Sequence, residues 1–181
     1  MTSIKHIQSQ IGTAADGIWG DKSKQALKSA IAGGKIITIT KNISLNELLA
    51  SNTAKRHNID NTPNQTILQN LIDASVNLYQ PVRDILGVPI IITSGYRSPA
   101  LNKAVGGSAT SAHMSGFAID FRSPRFGTPK LIVPHIVKVL KQKGIGFDQA
   151  IIEYPNSPRS WVHLGYKHPS GRQRGSSFVI G

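Results

Sequence analysis

Apolar residues recur every three or four positions in several stretches of the chain, which predicts amphipathic helices. The longest stretch covers 62–87 and starts with Thr-Pro, so threonine is the expected N-cap and proline the first helical residue. Gly87 follows the last apolar residue and is the expected terminator. A Ser-x-x-Glu capping box predicts a short helix after Ser44, and a second Thr-Pro pair predicts a helix over 128–144.

β-branched and alternating runs predict strands between and after these helices. Residues 88–93 form a β-branched run typical of a buried strand, and 147–154 with 161–166 are predicted to form a hairpin. If residues 117–121 form a strand, their side chains point alternately to its two faces. Asp120 then points to one face, while its two neighbours point to the other. Since helices precede and separate the strands, we predict an α+β fold.

The N-terminal residues are predicted to form a small helical unit of their own. Their pattern is a short helix around Ile7 and Ile11, a glycine-containing turn over 15–20, and a helix that Asp21 caps. A pair of glycines at 33–34 ends the second helix. The predicted organisation is an N-terminal segment at 1–34, a linker at 35–43 and a main domain at 44–181.

The chain is strongly basic, because 21 Lys and Arg residues exceed 9 Asp and Glu residues and give a formal charge of +12. Such a charge favours polyanionic partners such as nucleic acid, anionic wall polymers or lipopolysaccharide. The basic residues are scattered without a Lys/Arg block or an aromatic platform, so a solvated basic surface is an alternative of at least equal weight to a specific site, and nucleic acid is not the expected partner. No apolar run is long enough to span a membrane, and the N-terminus lacks the apolar core of a secretory signal. We therefore expect a protein that is made in the cytoplasm and is not exported by that route.

His113, Asp120 and His163 are the candidate metal ligands. His113 lies just before the strand of Asp120, with Gly116 allowing a turn between them, and His163 lies in the second strand of the predicted hairpin. Two imidazoles and one carboxylate can hold a divalent ion, zinc by preference, and leave a position for water. A hydrogen-bonded structural histidine is the alternative at each histidine position. The chain has no cysteine, which excludes a zinc site built from thiolates, so a metallohydrolase is the first hypothesis.

Three motifs stand in the main domain: Ser-Gly-Tyr-Arg-Ser at 94–98, S-x-H-x-x-G-x-A-x-D from Ser111, and Trp-Val-His from Trp161. They resemble those of the zinc D-Ala-D-Ala carboxypeptidase and L-Ala-D-Glu endopeptidase family, which includes phage endolysins. The resemblance extends over about 44–166 and implies the antiparallel sheet with flanking helices that this family shares with hedgehog signalling domains. It also implies zinc bound by His113, Asp120 and His163, contact of Arg97 with the scissile carbonyl or a substrate carboxylate, and substrate contacts from Ser111 and Trp161.

The turn Asp-Gly-Ile-Trp-Gly at 16–20 and the helix after it resemble the peptidoglycan-binding helical repeat, whose turn reads D-G-[IF]-[FW]-G-x-x-[ST]. The matching stretch is shorter than a full module. The resemblance implies that the N-terminal segment binds peptidoglycan, and a generic helical hairpin is the alternative.

Hydrolysis of a peptide also needs a carboxylate that takes a proton from water and passes it to the leaving amine. Several family members place a glutamate three residues before the last zinc histidine, where this chain has Ser160. Glu153 is the expected base, because across the hairpin it can face the same side as His163. An unpaired carboxylate in its apolar surroundings is costly, which favours function over an ion pair. Asp148 is the second candidate for the base. His135 and His168 are predicted to be surface residues.

Taken together, the residues and resemblances favour a monomeric zinc peptidase that cuts the peptide stems of peptidoglycan, as an endopeptidase rather than a carboxypeptidase. A wall-binding segment joined to a catalytic domain without an export signal is typical of a phage endolysin, which stays in the host cytoplasm until a membrane pore releases it. A non-catalytic module that binds the wall or zinc is the alternative, and a nucleic-acid-binding protein is supported by charge alone. The sequence leaves the cleaved bond open among L-Ala-D-Glu, a D-amino acid cross-link and a terminal D-Ala-D-Ala, because pocket shape decides it.

Overall fold

The structure is a computed structural model that describes residues 3–181. Within that range it contains eight α-helices and five strands, with a π-helical turn at Ser75–Tyr79 and a 3-10 turn at Ala112–Ser115. The helices are α1 (Ile4–Ile11), α2 (Asp21–Ala32), α3 (Leu45–Leu49), α4 (Asn52–Arg56), α5 (Gln65–Ala74), α6 (Gln80–Leu86), α7 (Pro99–Ala104) and α8 (Pro129–Gln142). The strands are β1 (Ile91–Ser94), β2 (Ala118–Arg122), β3 (Gln149–Glu153), β4 (Trp161–Gly165) and β5 (Ser176–Ile180).

The strands form one five-stranded sheet in the order β1-β2-β4-β3-β5. The β1–β2, β2–β4 and β3–β4 pairs are antiparallel, and β5 lies parallel to β3 at the edge. The predicted combination of helices with a sheet is confirmed, and its likeness to hedgehog domains stays a prediction. The expectation of a purely antiparallel sheet is wrong at one pair: the loop 166–175 carries the chain past β3, so β5 runs opposite to β4 and hence along β3.

Two predicted helix starts are shifted along the chain. Helix α5 begins after Asn64, whose side chain accepts a backbone N–H of the first turn at 2.9 Å, so the predicted start at 62–63 is wrong. Asparagine is a stronger N-cap than threonine, which explains the shift. Helix α2 includes Asp21 as its first residue, and Gly20 is the N-cap. The capping box that begins at Ser44 is confirmed at α3.

Strand β1 differs from the buried strand predicted over 88–93. It is shorter, and Ile91 is 54% exposed. The strand lies at the edge of the sheet, paired with β2 on one side only, so its apolar residues are not enclosed by neighbouring strands. The predicted hairpin is confirmed as the antiparallel pair of β3 and β4.

The N-terminal segment packs on the rest of the chain through buried side chains. Trp19 is buried, its indole Nε1 donates to the carbonyl of Pro63 at 3.1 Å, and its backbone N–H donates to Gln65 Oε1 at 2.9 Å. Leu27 belongs to the same hydrophobic core as the sheet, and Ile37 of the predicted linker is fully buried in it. Side chains from all three predicted units therefore share one core. The predicted boundaries at 1–34, 35–43 and 44–181 stay a prediction.

The sheet has one face packed on helices and one face that carries polar residues. Ile119, Phe121 and Val162 are fully buried on the packed face, where α8 contacts β3 and β4. Because side chains alternate along a strand, Asp120 and His163 point to the other face. In the part of the chain that the structure describes, no helix is long and apolar enough to cross a membrane.

Candidate metal centre

Three side chains converge on the polar face of the sheet: His113 from the 3-10 turn, Asp120 from β2 and His163 from β4. Asp120 and His163 are direct partners in the antiparallel register. Asp120 Oδ1 lies 3.2 Å from His113 Nε2 and 2.9 Å from His163 Nδ1, and the two nitrogens are 3.3 Å apart. The structure therefore brings together the three residues that the sequence predicts as ligands, in an arrangement that could hold a metal ion.

Two glycines give the backbone the shape that this convergence requires. Gly116 follows the 3-10 turn at φ +73°, and a Cβ there would lie 3.1 Å from the carbonyl oxygen of Ile67. A Cβ at Gly95 would overlap the backbone of Leu48 in α3. Gly95 has no room for a side chain, and at Gly116 a side chain would be crowded and would need a backbone conformation that favours glycine. The close packing of Gly95 brings its carbonyl oxygen against the ring of His113.

The tautomer of His113 is set by this backbone partner. Its Nδ1 lies 2.7 Å from the carbonyl oxygen of Gly95, and a carbonyl only accepts, so Nδ1 carries the proton. Nε2 of the neutral ring then presents a lone pair toward Asp120 Oδ1 and His163 Nδ1. The lone pairs of these three atoms repel one another at this separation unless a proton or a cation lies between them.

This donor set fits zinc. Zinc takes imidazole nitrogen and carboxylate oxygen ligands at about 2.0–2.2 Å, and tetrahedral ligands at that distance are about 3.3 Å from one another. The observed separations of 2.9, 3.2 and 3.3 Å are of this size. A backbone carbonyl that accepts the other N–H of a ligating histidine is the usual support for such a ligand.

Asp120 is the electrostatic centre of the group, and its side chain is 10% exposed. Burial alone would raise the pKa of Asp120. In the metal-free site the charges and hydrogen bonds of His113 and His163, when their rings are protonated, outweigh burial and hold that pKa well below its ordinary value. The carboxylate is therefore ionised. Its two oxygens have different partners, since Oδ1 faces the imidazoles and Oδ2 accepts a hydrogen bond from Arg97 at 2.7 Å.

Arg97 is bound to this ligand group. Its Nη2 donates to Asp120 Oδ2 at 2.7 Å, its Nε donates to Ser94 Oγ at 2.9 Å, and the side chain is 18% exposed. The family resemblance implies that Arg97 contacts the substrate, and that contact stays a prediction. What the structure adds is an orienting contact, because the guanidinium fixes the carboxylate that faces the histidines.

Glu153 lies on the same face as His163, as the hairpin pattern predicts. It is directly opposite Trp161 in the β3–β4 register, and Ile151, two residues earlier, is opposite His163. Burial is the main cause that raises the pKa of Glu153, and the charge of Asp120 adds to it. The charges of His163 and Arg97 oppose this increase. The half-buried carboxylate is therefore within electrostatic reach of the ligand group and is a weaker acid than an exposed glutamate.

The second candidate for the base, Asp148, is engaged elsewhere. Its side chain is 1% exposed, and Arg174 donates Nε and Nη2 to its two carboxylate oxygens at 2.7 and 2.6 Å. The structure contradicts Asp148 as a base, because both oxygens are held in this buried ion pair. His135 is exposed, as predicted. His168 accepts the backbone N–H of Ser170 at 3.1 Å in a turn near the C-terminus and lies outside the ligand group.

The two other predicted substrate contacts flank the centre. Ser111 is the N-cap of the 3-10 turn that carries His113, and it is partly exposed. Trp161 packs its ring on Tyr154, with the ring centroids 5.1 Å apart. The indole nitrogen of Trp161 is buried and has no hydrogen-bond partner among residues 3–181. Contact of either residue with a substrate stays a prediction.

Sequence reasoning missed two supporting groups. Ser94 accepts the Nε hydrogen bond of Arg97, and the carbonyl of Gly95 orients His113. Both belong to the Ser-Gly-Tyr-Arg motif, in which only the arginine received a role. The motif itself is the sequence feature that could have indicated these two groups. Its glycine in particular indicates that another part of the chain packs closely against the backbone at this position.

Comparison with known proteins adds a family. A family model described as Peptidase M15 matches residues 41–163, a range that includes the three ligand candidates, Arg97 and Glu153. Helices α1 and α2 and strand β5 lie outside the matched range. A search among curated proteins found no match.

Proposed function

The chain belongs to the Peptidase M15 family, and on that premise we propose that it is a zinc-dependent peptidase that cuts the peptide stems of peptidoglycan. One observation carries the proposal. His113 Nε2, Asp120 Oδ1 and His163 Nδ1 lie within 3.3 Å of one another, which suits one divalent ion. Glu153, a carboxylate that forms no ion pair among residues 3–181, lies on the same face of the sheet.

The proposed reaction is hydrolysis of one amide bond. A zinc ion held by the three ligand residues supplies positive charge that polarises the scissile carbonyl and makes a water more acidic. Glu153 takes one proton from the attacking water while the water oxygen bonds to the carbonyl carbon. Glu153 then gives that proton to the leaving nitrogen as the C–N bond breaks, which leaves a carboxylic acid and an amine. Arg97 and the carbonyl of Gly95 keep Asp120 and His113 in position throughout.

The environment of Glu153 suits this exchange of a proton. A base works best when its pKa approaches the working pH. In the metal-free site burial, followed by the charge of Asp120, raises the pKa of Glu153 in that direction, whereas the charge of a bound cation would lower it. An exposed glutamate would be ionised but would be a weaker base, so it would take the proton of the attacking water less readily. The same carboxyl group can therefore act first as base and then as acid.

Peptidoglycan is the proposed substrate because two further features support a wall polymer. The turn at 16–20 resembles a peptidoglycan-binding repeat, and the formal charge of +12 favours contact with anionic envelope polymers. We propose endopeptidase cleavage and the role of a phage endolysin that acts after release from the host cytoplasm. Cells that express such a protein alone should stay intact and should lose turbidity once their membrane is permeabilised.

Fragment release from purified peptidoglycan tests the proposed activity. The protein is incubated with and without a chelator, zinc is restored, and the released fragments are identified by mass spectrometry, which also reports the cleaved bond. His163→Ala should lose both bound metal and fragment release. The exposed His135→Ala is the matched control and should keep both.

Two results would contradict the proposal. Fragment release that survives both chelation and His163→Ala would refute the metal centre. Metal binding and pelleting with peptidoglycan, without any released fragment, would instead favour a non-catalytic binding module.

A further inference from the structure

Strand β5 extends the face of the sheet that carries the candidate metal centre. Its parallel register places Phe178 beside Ile151 and Ile180 beside Glu153. Directly paired residues point to the same face, and Ile151 is paired with His163 on its other side, so both β5 side chains share the face of His163. The strand lies beyond residue 163, where the family match ends, and is therefore a feature of this chain outside the matched range.

The side chains that β5 adds to this face are large, apolar and accessible. Phe178 is 41% exposed and Ile180 is 44% exposed. Trp161 faces Glu153 from β4, so Glu153 stands between Trp161 and Ile180 in one row across three strands. We call Trp161, Phe178 and Ile180 the apolar shelf. Accessible apolar area beside convergent polar groups is the usual composition of a ligand site.

At the level of the ligand group the β1 end of the same face is polar, although Ile91, which is paired with Arg122, is exposed on that face farther along the strand. Ser94 of β1 is paired with Asp120 of β2, and Ser94 and Arg97 line a cavity of about 290 Å³ between β1 and helix α4. At that level the face therefore changes from polar at β1 to apolar at β5, with the ligand group between. Neighbouring strands are about 4.8 Å apart, so β1 and β5 are separated by about 19 Å, the length of about six extended residues.

We propose that the apolar shelf is the subsite for an uncharged alanine side chain of the cleaved peptide, while the polar cavity receives a part of the peptide that carries a carboxylate. The inference rests on the proposed function and specifies how that substrate lies across the sheet. In L-Ala-D-Glu and D-Ala-D-Ala bonds, alanine is joined to glutamate or to a second alanine. A methyl group is the apolar group that such a peptide offers to Phe178 and Ile180.

The test uses the full chain and a soluble stem peptide whose cleaved bond has been identified by mass spectrometry. Each alanine is replaced in turn by glycine, which removes one methyl group. At one position the wild-type protein should prefer alanine over glycine about fourfold in kcat/KM, the value of one buried methyl group. The double variant Phe178→Ser with Ile180→Ser should lose this preference, and Phe178→Leu should retain it.

Val179→Ser is the matched control, because Val179 is 55% exposed on the same strand and points to the opposite face. Thermal melts of every variant identify any loss of fold. Loss of the alanine preference in the double variant but not in Val179→Ser supports the subsite. An unchanged preference in the double variant, or an equal loss in Val179→Ser, overturns it. Absence of cleavage by the wild-type protein refutes the proposed function itself, which keeps the two failures apart.

Discussion

Replacing Arg97 with alanine should weaken metal binding as well as turnover. Arg97 donates to Asp120 Oδ2 at 2.7 Å and to Ser94 Oγ at 2.9 Å, and the Arg97 and Asp120 side chains are 18% and 10% exposed. A hydrogen bond to a charged group in such a place contributes about 1.5–3 kcal/mol. Since about 1.4 kcal/mol is tenfold in an equilibrium constant, the dissociation constant of the metal should rise about 10- to 100-fold.

Competition with a chromophoric chelator measures this change directly. Arg97→Lys keeps the charge but cannot donate to Ser94 and Asp120 in the same planar geometry, so its metal affinity should lie between those of the wild type and Arg97→Ala. Ser94→Ala removes only the partner of Nε and should cost less. His135→Ala is the control for a surface substitution and should leave the affinity unchanged.

The orienting role would be refuted by one combination of results. If Arg97→Ala binds metal as tightly as the wild type and loses only turnover, the guanidinium acts on the substrate, as the family resemblance implies. Melts recorded with chelator separate either result from a general loss of stability, because they compare the two proteins in the metal-free state.

Three further predictions concern stability. Without metal, Glu153→Gln and the wild type should be equally stable below pH 4. As pH rises through the raised folded-state pKa of Glu153, the unfolded chain binds fewer protons than the folded one, so the wild type should lose stability relative to the variant. A difference in urea melts that does not depend on pH would contradict this. Arg174→Ala leaves the Asp148 carboxylate buried and unpaired, so the free energy of unfolding should fall by about 2–3 kcal/mol in urea melts; an unchanged midpoint would count against the pair. Trp19→Phe loses the buried indole hydrogen bond to the loop before α5. The chain should still unfold in one thermal transition, at a temperature lower by several degrees, and a separate transition of the N-terminal segment would contradict this.

Part of the ligand group could be predicted from sequence because it depends on local rules. Alternation along a strand places Asp120 on one face, and a glycine at 116 lets the preceding turn bring His113 over that face. The hairpin pattern of β3 and β4 then places Glu153 on the face of His163, since paired residues share a face. The pairing of Asp120 with His163 is not local, because it joins β2 to β4 across 43 positions, and its prediction depended on the family motifs.

Strand β5 and the role of Arg97 could not be obtained in this way. The five residues of β5 include three consecutive apolar side chains that are all exposed, so their pattern does not identify a buried face. Pairing with β3 makes them a strand. The contact of Arg97 with Asp120 spans 23 positions and depends on how β1 and β2 align, which spacing in the sequence does not reveal.

The local sequence does not distinguish the roles of the two acids Asp148 and Glu153. Both stand at the ends of one apolar strand, and by that pattern both are costly carboxylates that suggest function. The structure separates them by their partners. Arg174, 26 positions away, forms an ion pair with Asp148, whereas Glu153 has no ion pair among residues 3–181, and burial, followed by the charge of Asp120, raises its pKa. A buried acid that is paired stabilises the fold, while one left beside a like charge stores free energy that protonation can release. That difference, visible only once distant partners are known, is the physical reason for assigning proton transfer to Glu153 and an ion pair to Asp148.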